Sequence, residues 1–201
     1  MSESNTQTAP RIGHFRKRLA WALLILLLPI LGIIQFSGIR FFKVPSSSME
    51  PTLFPSDYIV TRTVDSLNRG DIVVFKDPDY ANEYLVKRIV GVGGDTISVF
   101  GGAVFLNNAY VSEPFRYRPI DYVMDPYEVP KDHFFLLGDN ANRSIDSHNW
   151  GASGSQGDED TKGTPRSISK EFIVGKVTRI YLPPSRAGKL DSYPIRILTA
   201  N

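Results

Sequence analysis

A chain of 201 residues with 42% hydrophobic and 22% charged residues is long enough for one compact domain with a real core and too apolar for general disorder. Its 23 basic and 21 acidic residues look mildly basic, but Arg11, Arg16, Lys17 and Arg18 stand near the start against Glu3 alone, and the rest is slightly acidic, so no nucleic-acid partner is expected. The lack of cysteine excludes disulfides, thiolate metal sites and a cysteine nucleophile, and His14, His133 and His148 lack metal-ligand spacing, so no metal or other cofactor is expected.

In chain order, a basic tail (residues 1–18) precedes the run Leu19–Phe36, in which only Gln35 is polar. About 18 apolar residues cross most of a bilayer core as a helix, so the run reads as a transmembrane anchor, with Pro29 tolerable inside it. Arg16, Lys17 and Arg18 before it favour a cytoplasmic N-terminus and an extracytoplasmic remainder from residue 40, in the cell membrane. A cleaved secretory signal has the same outline, but this run exceeds a usual apolar region of that kind, and Gln35, Ser37 and Gly38 give no clean small-x-small site. Phe41 and Phe42 are placed for interfacial anchoring.

From Val44 onward the pattern becomes short β-type stretches separated by Gly, Pro, Asn and Asp, which predicts an all-β domain. The expected strands are 58–64, 71–75, 84–92, 96–100, 103–106, 122–129, 134–137 and 172–181, with a β-ribbon region inserted at about 98–130. Asn107-Asn108 suits a hairpin turn, because Asn tolerates positive φ. Gly91, Gly93 and Gly94 outwardly match a phosphate loop, but the strand that follows leaves no helix N-terminus, so a tight turn is the better reading. The Gly, Ser and Asp-rich stretch 151–165 reads as a solvated loop; Asp158, Glu159 and Asp160 lack calcium-loop spacing.

Chemistry concentrates just past the apolar run, in Val44-Pro45-Ser46-Ser47-Ser48-Met49-Glu50-Pro51-Thr52-Leu53. A serine hydroxyl needs a base to take its proton, and no histidine is well placed. Lys87 is the best candidate, inside the apolar strand Tyr84-Leu85-Val86-Lys87-Arg88-Ile89-Val90, where burial would disfavour the ammonium and make a neutral amine available. Ser-Lys pairs are a known variant of triad logic.

The serine box resembles the Ser-x-Ser-Met-x-Pro-Thr-Leu motif of type I signal peptidases, and three further blocks follow in that family's order: Arg69-Gly70-Asp71-Ile72-Val73-Val74-Phe75; Lys87-Arg88-Ile89-Val90-Gly91 with Gly94-Asp95; and Gly138-Asp139-Asn140 with Ser144, Asp146 and Ser147. The resemblance covers Leu19 to Tyr181. It implies a membrane-bound serine endopeptidase with a signal-peptidase-like antiparallel β fold after one transmembrane helix. Ser48 would be the nucleophile, Lys87 the general base, and Ser46 with the Ser48 amide the oxyanion hole. Ser144 would orient the lysine amine, and Arg88 and Asp146 would form a structural ion pair. His148 departs from the family's usual arginine, and the 151–165 loop is longer than the family leads one to expect.

The implied partners are exported preproteins, cut after small-x-small sites, and the lipid bilayer. Val44, Pro45, Met49, Leu53, Leu85 and Val86 flank the dyad in sequence and are expected to line shallow apolar pockets, with the substrate adding a strand near Lys87. Three other readings use the same residues. One is a processing peptidase dedicated to a single substrate, such as a conjugative pilin. Another is an inactive tethered module that binds peptides. The third, a self-cleaving SOS-type repressor, would need a DNA-binding helix-turn-helix in place of the span.

Overall fold

A computed structural model describes residues 12–80, 82–116, 118–150, 164–190, 193 and 195–198. The chain falls into two units, Met1–Gly38 and Ile39–Asn201. The described part of the first is one helix, α1 (Ile12–Phe36), containing Pro29. Its side chains are described from Arg16 to Pro29 and at Gly32, and those of Leu19, Trp21 and Leu23 to Leu28 are exposed. Among the described residues no helix is long and apolar enough to cross a membrane. Most side chains in the second half of the expected span lie outside the described residues, as do the basic tail up to Arg11 and the expected loop from 151 to 163.

In the second unit the β-type stretches become strands β1 (Ile39–Lys43), β2 (Tyr58–Arg62), β3 (Ile72–Lys76), β4 (Tyr84–Val92), β5 (Thr96–Phe100), β6 (Ala103–Leu106), β7 (Ala109–Ser112), β8 (Met124–Glu128), β9 (His133–Leu137), β10 (Ile168–Ser169), β11 (Ile173–Leu182), β12 (Gly188–Lys189) and β13 (Arg196–Leu198). All described pairings are antiparallel. The larger sheet runs β1-β2-β11-β3-β4-β9-β10, with β12 on β11; the smaller runs β13-β7-β6-β5-β8.

Side chains alternate across a strand, and β3 shows the consequence. Ile72 and Val74 join Val44, Met49, Leu53, Ile59 and Val86 on one face. Val73 and Phe75 join Ile89, Leu136 and Trp150 on the other. A strand covered on both faces reads as an unbroken apolar run, as Ile72-Val73-Val74-Phe75 does. Each such side chain stabilises the fold by about 1.5–3 kcal/mol relative to exposure. The smaller sheet closes a third cluster, in which Ile97, Val99, Val104 and Leu106 pack with Phe135 and Leu137 of β9.

Eight expected strands are present with ends moved by at most a few residues, and Tyr84–Val92 keeps its bounds. Asn107 and Asn108 form the β6–β7 turn with φ of 54° and 65°. Five strands were not expected: β1, β7, β10, β12 and β13. The smaller sheet therefore begins at Thr96 and recruits residues near the C-terminus, beyond the inserted ribbon foreseen at 98–130. Phe41 and Phe42 belong to β1 and pair with Val60 and Ile59. Phe41 is exposed and meets Tyr181 edge-on, while Phe42 packs on Tyr84.

Candidate active site

The serine box folds as a 3-10 turn, Ser47–Met49, which turns Met49 into the core and leaves Ser48 beside β4. Lys87 lies inside the larger sheet, in register with Val73 of β3. Its Nζ donates to Ser48 Oγ at 3.0 Å, and both residues are only 4% exposed. Burial pushes the Lys87 amine below its ordinary value, against the opposing pull of the Asp146 and Asp139 carboxylates. The result is an amine shifted toward its neutral form within hydrogen-bond reach of a serine hydroxyl. Ser46 Oγ lies 3.2 Å from Ser48 Oγ at the exposed side of the pair.

Ser144 is also buried, and its hydroxyl is without a hydrogen-bond partner among the described residues. Gly138 explains how it comes so near the serine turn: a Cβ there would lie 2.5 Å from both Ser144 Oγ and the Ser48 carbonyl oxygen. The expected lysine-orienting hydrogen bond from Ser144 is therefore absent in this arrangement.

The expected Arg88–Asp146 ion pair is corrected by the structure. Arg88 is fully buried and forks onto Asp139, with Nε to Oδ1 at 2.8 Å and Nη2 to Oδ2 at 2.7 Å. Its Nη1 donates to the Gly70 carbonyl, Thr52 Oγ1 donates to Asp139 Oδ2, and the guanidinium lies 3.9 Å over the Phe115 ring. Asp146 is already occupied: Oδ2 accepts the Gly138 N–H, and Oδ1 lies 2.7 Å from His148 Nδ1. The bidentate fit and the Gly70 carbonyl decide for Asp139. His148 thus supplies a partner for Asp146, and its ring stacks on Tyr122 at 3.8 Å. Burial pushes the Tyr122 phenol well up.

The six expected pocket residues divide. Val44, Met49, Leu53 and Val86 are buried in one core cluster and do not line an open pocket here, because the 3-10 turn and the sheet face direct them inward. Pro45 is exposed, and Leu85 is half-buried in a cavity of about 150 Å³ with Ile145 and Trp150. Thr52, Gly138, Asp139 and Asn140 belong to the motif blocks, and the sequence alone assigns them no individual role. The signal for the last three is a glycine and two short polar residues directly after the apolar run 134–137, and for Thr52 its place in the serine box. Among the described residues no cluster of acidic or histidine side chains is placed to hold a metal.

The family model described as "Signal peptidase, peptidase S26" matches residues 16–181. The chain is 32% identical over 180 residues to a signal peptidase I of Leptolyngbya laminosa, covering 82% of this chain and 81% of that one. It is 37% identical over 175 residues to a probable signal peptidase I-2 of Synechocystis, covering 80% and 73%. It is 38% identical over 158 residues to thylakoidal processing peptidase 1 of Arabidopsis thaliana, covering 72% of this chain and 42% of that longer protein. A solved signal peptidase I from Enterococcus faecalis aligns at a TM-score of 0.44 and 20% identity, over 58% of this chain and 100% of that one. The chain belongs to the signal peptidase family, peptidase S26, as a serine endopeptidase of the signal peptidase I type whose substrates are preproteins.

Proposed function

We propose that Ser48 is the nucleophile and Lys87 the general base of this peptidase, and that it cuts exported preproteins after small-x-small sequences. The observation that carries the reading is the 3.0 Å contact between two buried groups, Lys87 Nζ and Ser48 Oγ. In its neutral form the amine accepts the serine proton as Oγ attacks the scissile carbonyl. Negative charge then develops on the carbonyl oxygen, where the Ser48 N–H and the Ser46 hydroxyl are the available donors; such donors typically contribute about 3–4 kcal/mol each. The lysine ammonium returns its proton to the leaving amine, and the acyl-serine is hydrolysed by water with Lys87 again as base. The Asp139 and Asp146 carboxylates favour the transient ammonium through their charge.

Substrate binding as an added strand is supported by the pairing of β4. Tyr84 to Val86 and Lys87 pair with β3, whereas the described β9 register begins at Arg88. The half-strand before the base thus keeps an edge open to an extended peptide. The apolar run Leu19–Phe36 acts as the membrane anchor, with a cytoplasmic N-terminus and an extracytoplasmic catalytic unit. Its sequence, the exposed apolar side chains of α1 and the basic residues before it support that topology. Anchoring holds enzyme and substrate in one plane at raised effective concentration.

The test is cleavage of a preprotein bearing an Ala-x-Ala site by the detergent-solubilised protein. Cleavage after the second alanine, lost in Ser48→Ala, is expected; unchanged cleavage by that variant would remove Ser48 from the mechanism. Cleavage of one preprotein among an unrelated panel would favour the dedicated-substrate reading.

A further inference from the structure

Asn140 begins the 3-10 turn Ala141–Arg143 that follows β9, a position where an asparagine side chain ordinarily caps its own turn. Here it makes no such cap. It reaches a part of the chain 93 residues away, and Nδ2 donates to the Ser47 carbonyl at 3.3 Å. The same residue's backbone N–H donates to the Ser48 carbonyl at 3.0 Å. One residue thus holds the carbonyls of both peptide units that flank the nucleophile. The Ser47 oxygen also accepts the Glu50 N–H at 3.1 Å, so two donors fix its direction.

The Ser47 carbonyl and the Ser48 N–H belong to one planar peptide. The cis bonds among the described residues are Glu50–Pro51 and Leu182–Pro183, so this one is trans, and its C=O and N–H point in opposite directions. Pinning the oxygen from the Asn140 side therefore aims the N–H away from Asn140. A donor at the oxygen also polarises the amide and strengthens its N–H as a donor. Gly138 leaves room for the approach, since a Cβ there would crowd the Ser48 oxygen.

We infer that Asn140 is a positioning residue, whose side chain locks the Ser47–Ser48 peptide so that the Ser48 N–H is fixed toward the oxyanion of the tetrahedral intermediate. The inference rests on the reading of Ser48 as nucleophile and of its own amide as an oxyanion donor. Asn140 touches no reacting atom. It acts by removing the freedom of the donor peptide to rotate, so its contribution is made in the transition state and not in substrate binding.

The experiment compares wild type with Asn140→Ala and the near-isosteric Asn140→Asp, which keeps the shape and backbone donor but not the side-chain donor, using the full chain in detergent. Preprotein cleavage gives kcat and KM. Inhibition is measured with a peptide aldehyde ending in alanine and with the same peptide carrying a reduced CH2–NH bond. The aldehyde carbon takes Ser48 Oγ, the serine proton passes to Lys87, and the former carbonyl oxygen occupies the oxyanion position; the reduced peptide has no such oxygen.

Both variants are expected to lose about tenfold or more in kcat with KM within about twofold, a fraction of what deleting an oxyanion donor outright removes. Aldehyde inhibition weakens by a similar factor, reduced-peptide binding is unchanged, and the pH midpoint of kcat in Asn140→Ala stays in place. Unchanged kcat, equal weakening of both inhibitors, a displaced midpoint, or loss of folding in both variants would each overturn the inference. Ser48→Ala separates the two levels: if it still cleaves, the nucleophile reading fails, whereas an inactive Ser48→Ala beside fully active Asn140 variants sinks only the role of Asn140.

Discussion

The two sheets bury different chemistry. The smaller sheet hides Ile97, Val99, Val104, Leu106 and Val111 and owes its order to apolar packing. At the larger sheet, on β4, in the serine turn and in the segment that follows β9, the chain buries Ser48, Lys87, Arg88, Asp139, Ser144, Asp146 and Ser147. Burying charge without partners is costly, and most of these groups have close partners. Lys87 and Arg88 sharpen the contrast, since neighbours on one strand face opposite sides. Arg88 meets a carboxylate fork and a carbonyl, while Lys87 meets a single hydroxyl. The guanidinium remains a fixed structural charge, and the amine is left able to change protonation.

The largest break in this contrast is Lys87→Met. Cleavage should fall by about 10⁴-fold or more, as for loss of a base in other serine enzymes, while the fold persists. Thermal melting near neutral pH should rise, because a buried amine is replaced by an apolar chain of similar length. The sign follows from the lowered folded-state value. Between that value and the ordinary 10.5 the unfolded chain binds more protons, so wild-type stability climbs with pH there and the advantage of methionine shrinks. A melting advantage that grows toward alkaline pH would contradict a depressed amine. For the same reason wild-type kcat/KM should rise with pH through the depressed lysine value; a flat profile would assign the proton to another group.

Asp139→Ala attacks the structural half of the pair. Leaving Arg88 buried and unpaired should destabilise the unit by about 3–5 kcal/mol, read from denaturant midpoints. A loss below 1 kcal/mol would mean that water or another carboxylate takes the place of Asp139. The smallest effect belongs to the smaller sheet. Ile97→Val should cost about 0.5–1.5 kcal/mol and leave kcat within twofold. A large fall in kcat there would show that the smaller sheet shapes the site as well as the core.

Long, patterned elements were legible in the sequence, and long-range pairings were not. Tyr84–Val92 announced itself by an apolar run bounded by turn residues, and Asn107-Asn108 by its tolerance of positive φ. By contrast β1 sits directly after an apolar helix that masks its alternation, and β10, β12 and β13 have only two or three residues each. In the site, Ser48 and Lys87 were read from motif order, and the structure brings them together. Asp139 and Asp146 are equivalent acids seven positions apart, and only the path of the chain after β9 decides which one Arg88 meets. Met49 and Leu53 were expected at a pocket because an apolar residue beside a reactive serine suits a pocket and a core equally well; both are fully buried in one core cluster.

The knot of Thr52, Arg88 and Asp139 has a consequence for the birth of the enzyme. Thr52 and Asp139 are 87 positions apart, and Arg88 lies between them, 51 from Asp139. Contacts of such separation require the closure of a long loop, which costs entropy before the contact repays it. The serine turn and the lysine strand gain their shared carboxylate only when residues near 139 have arrived. A nascent copy whose chain has not yet reached residue 139 lacks the carboxylate that ties its serine turn to its lysine strand.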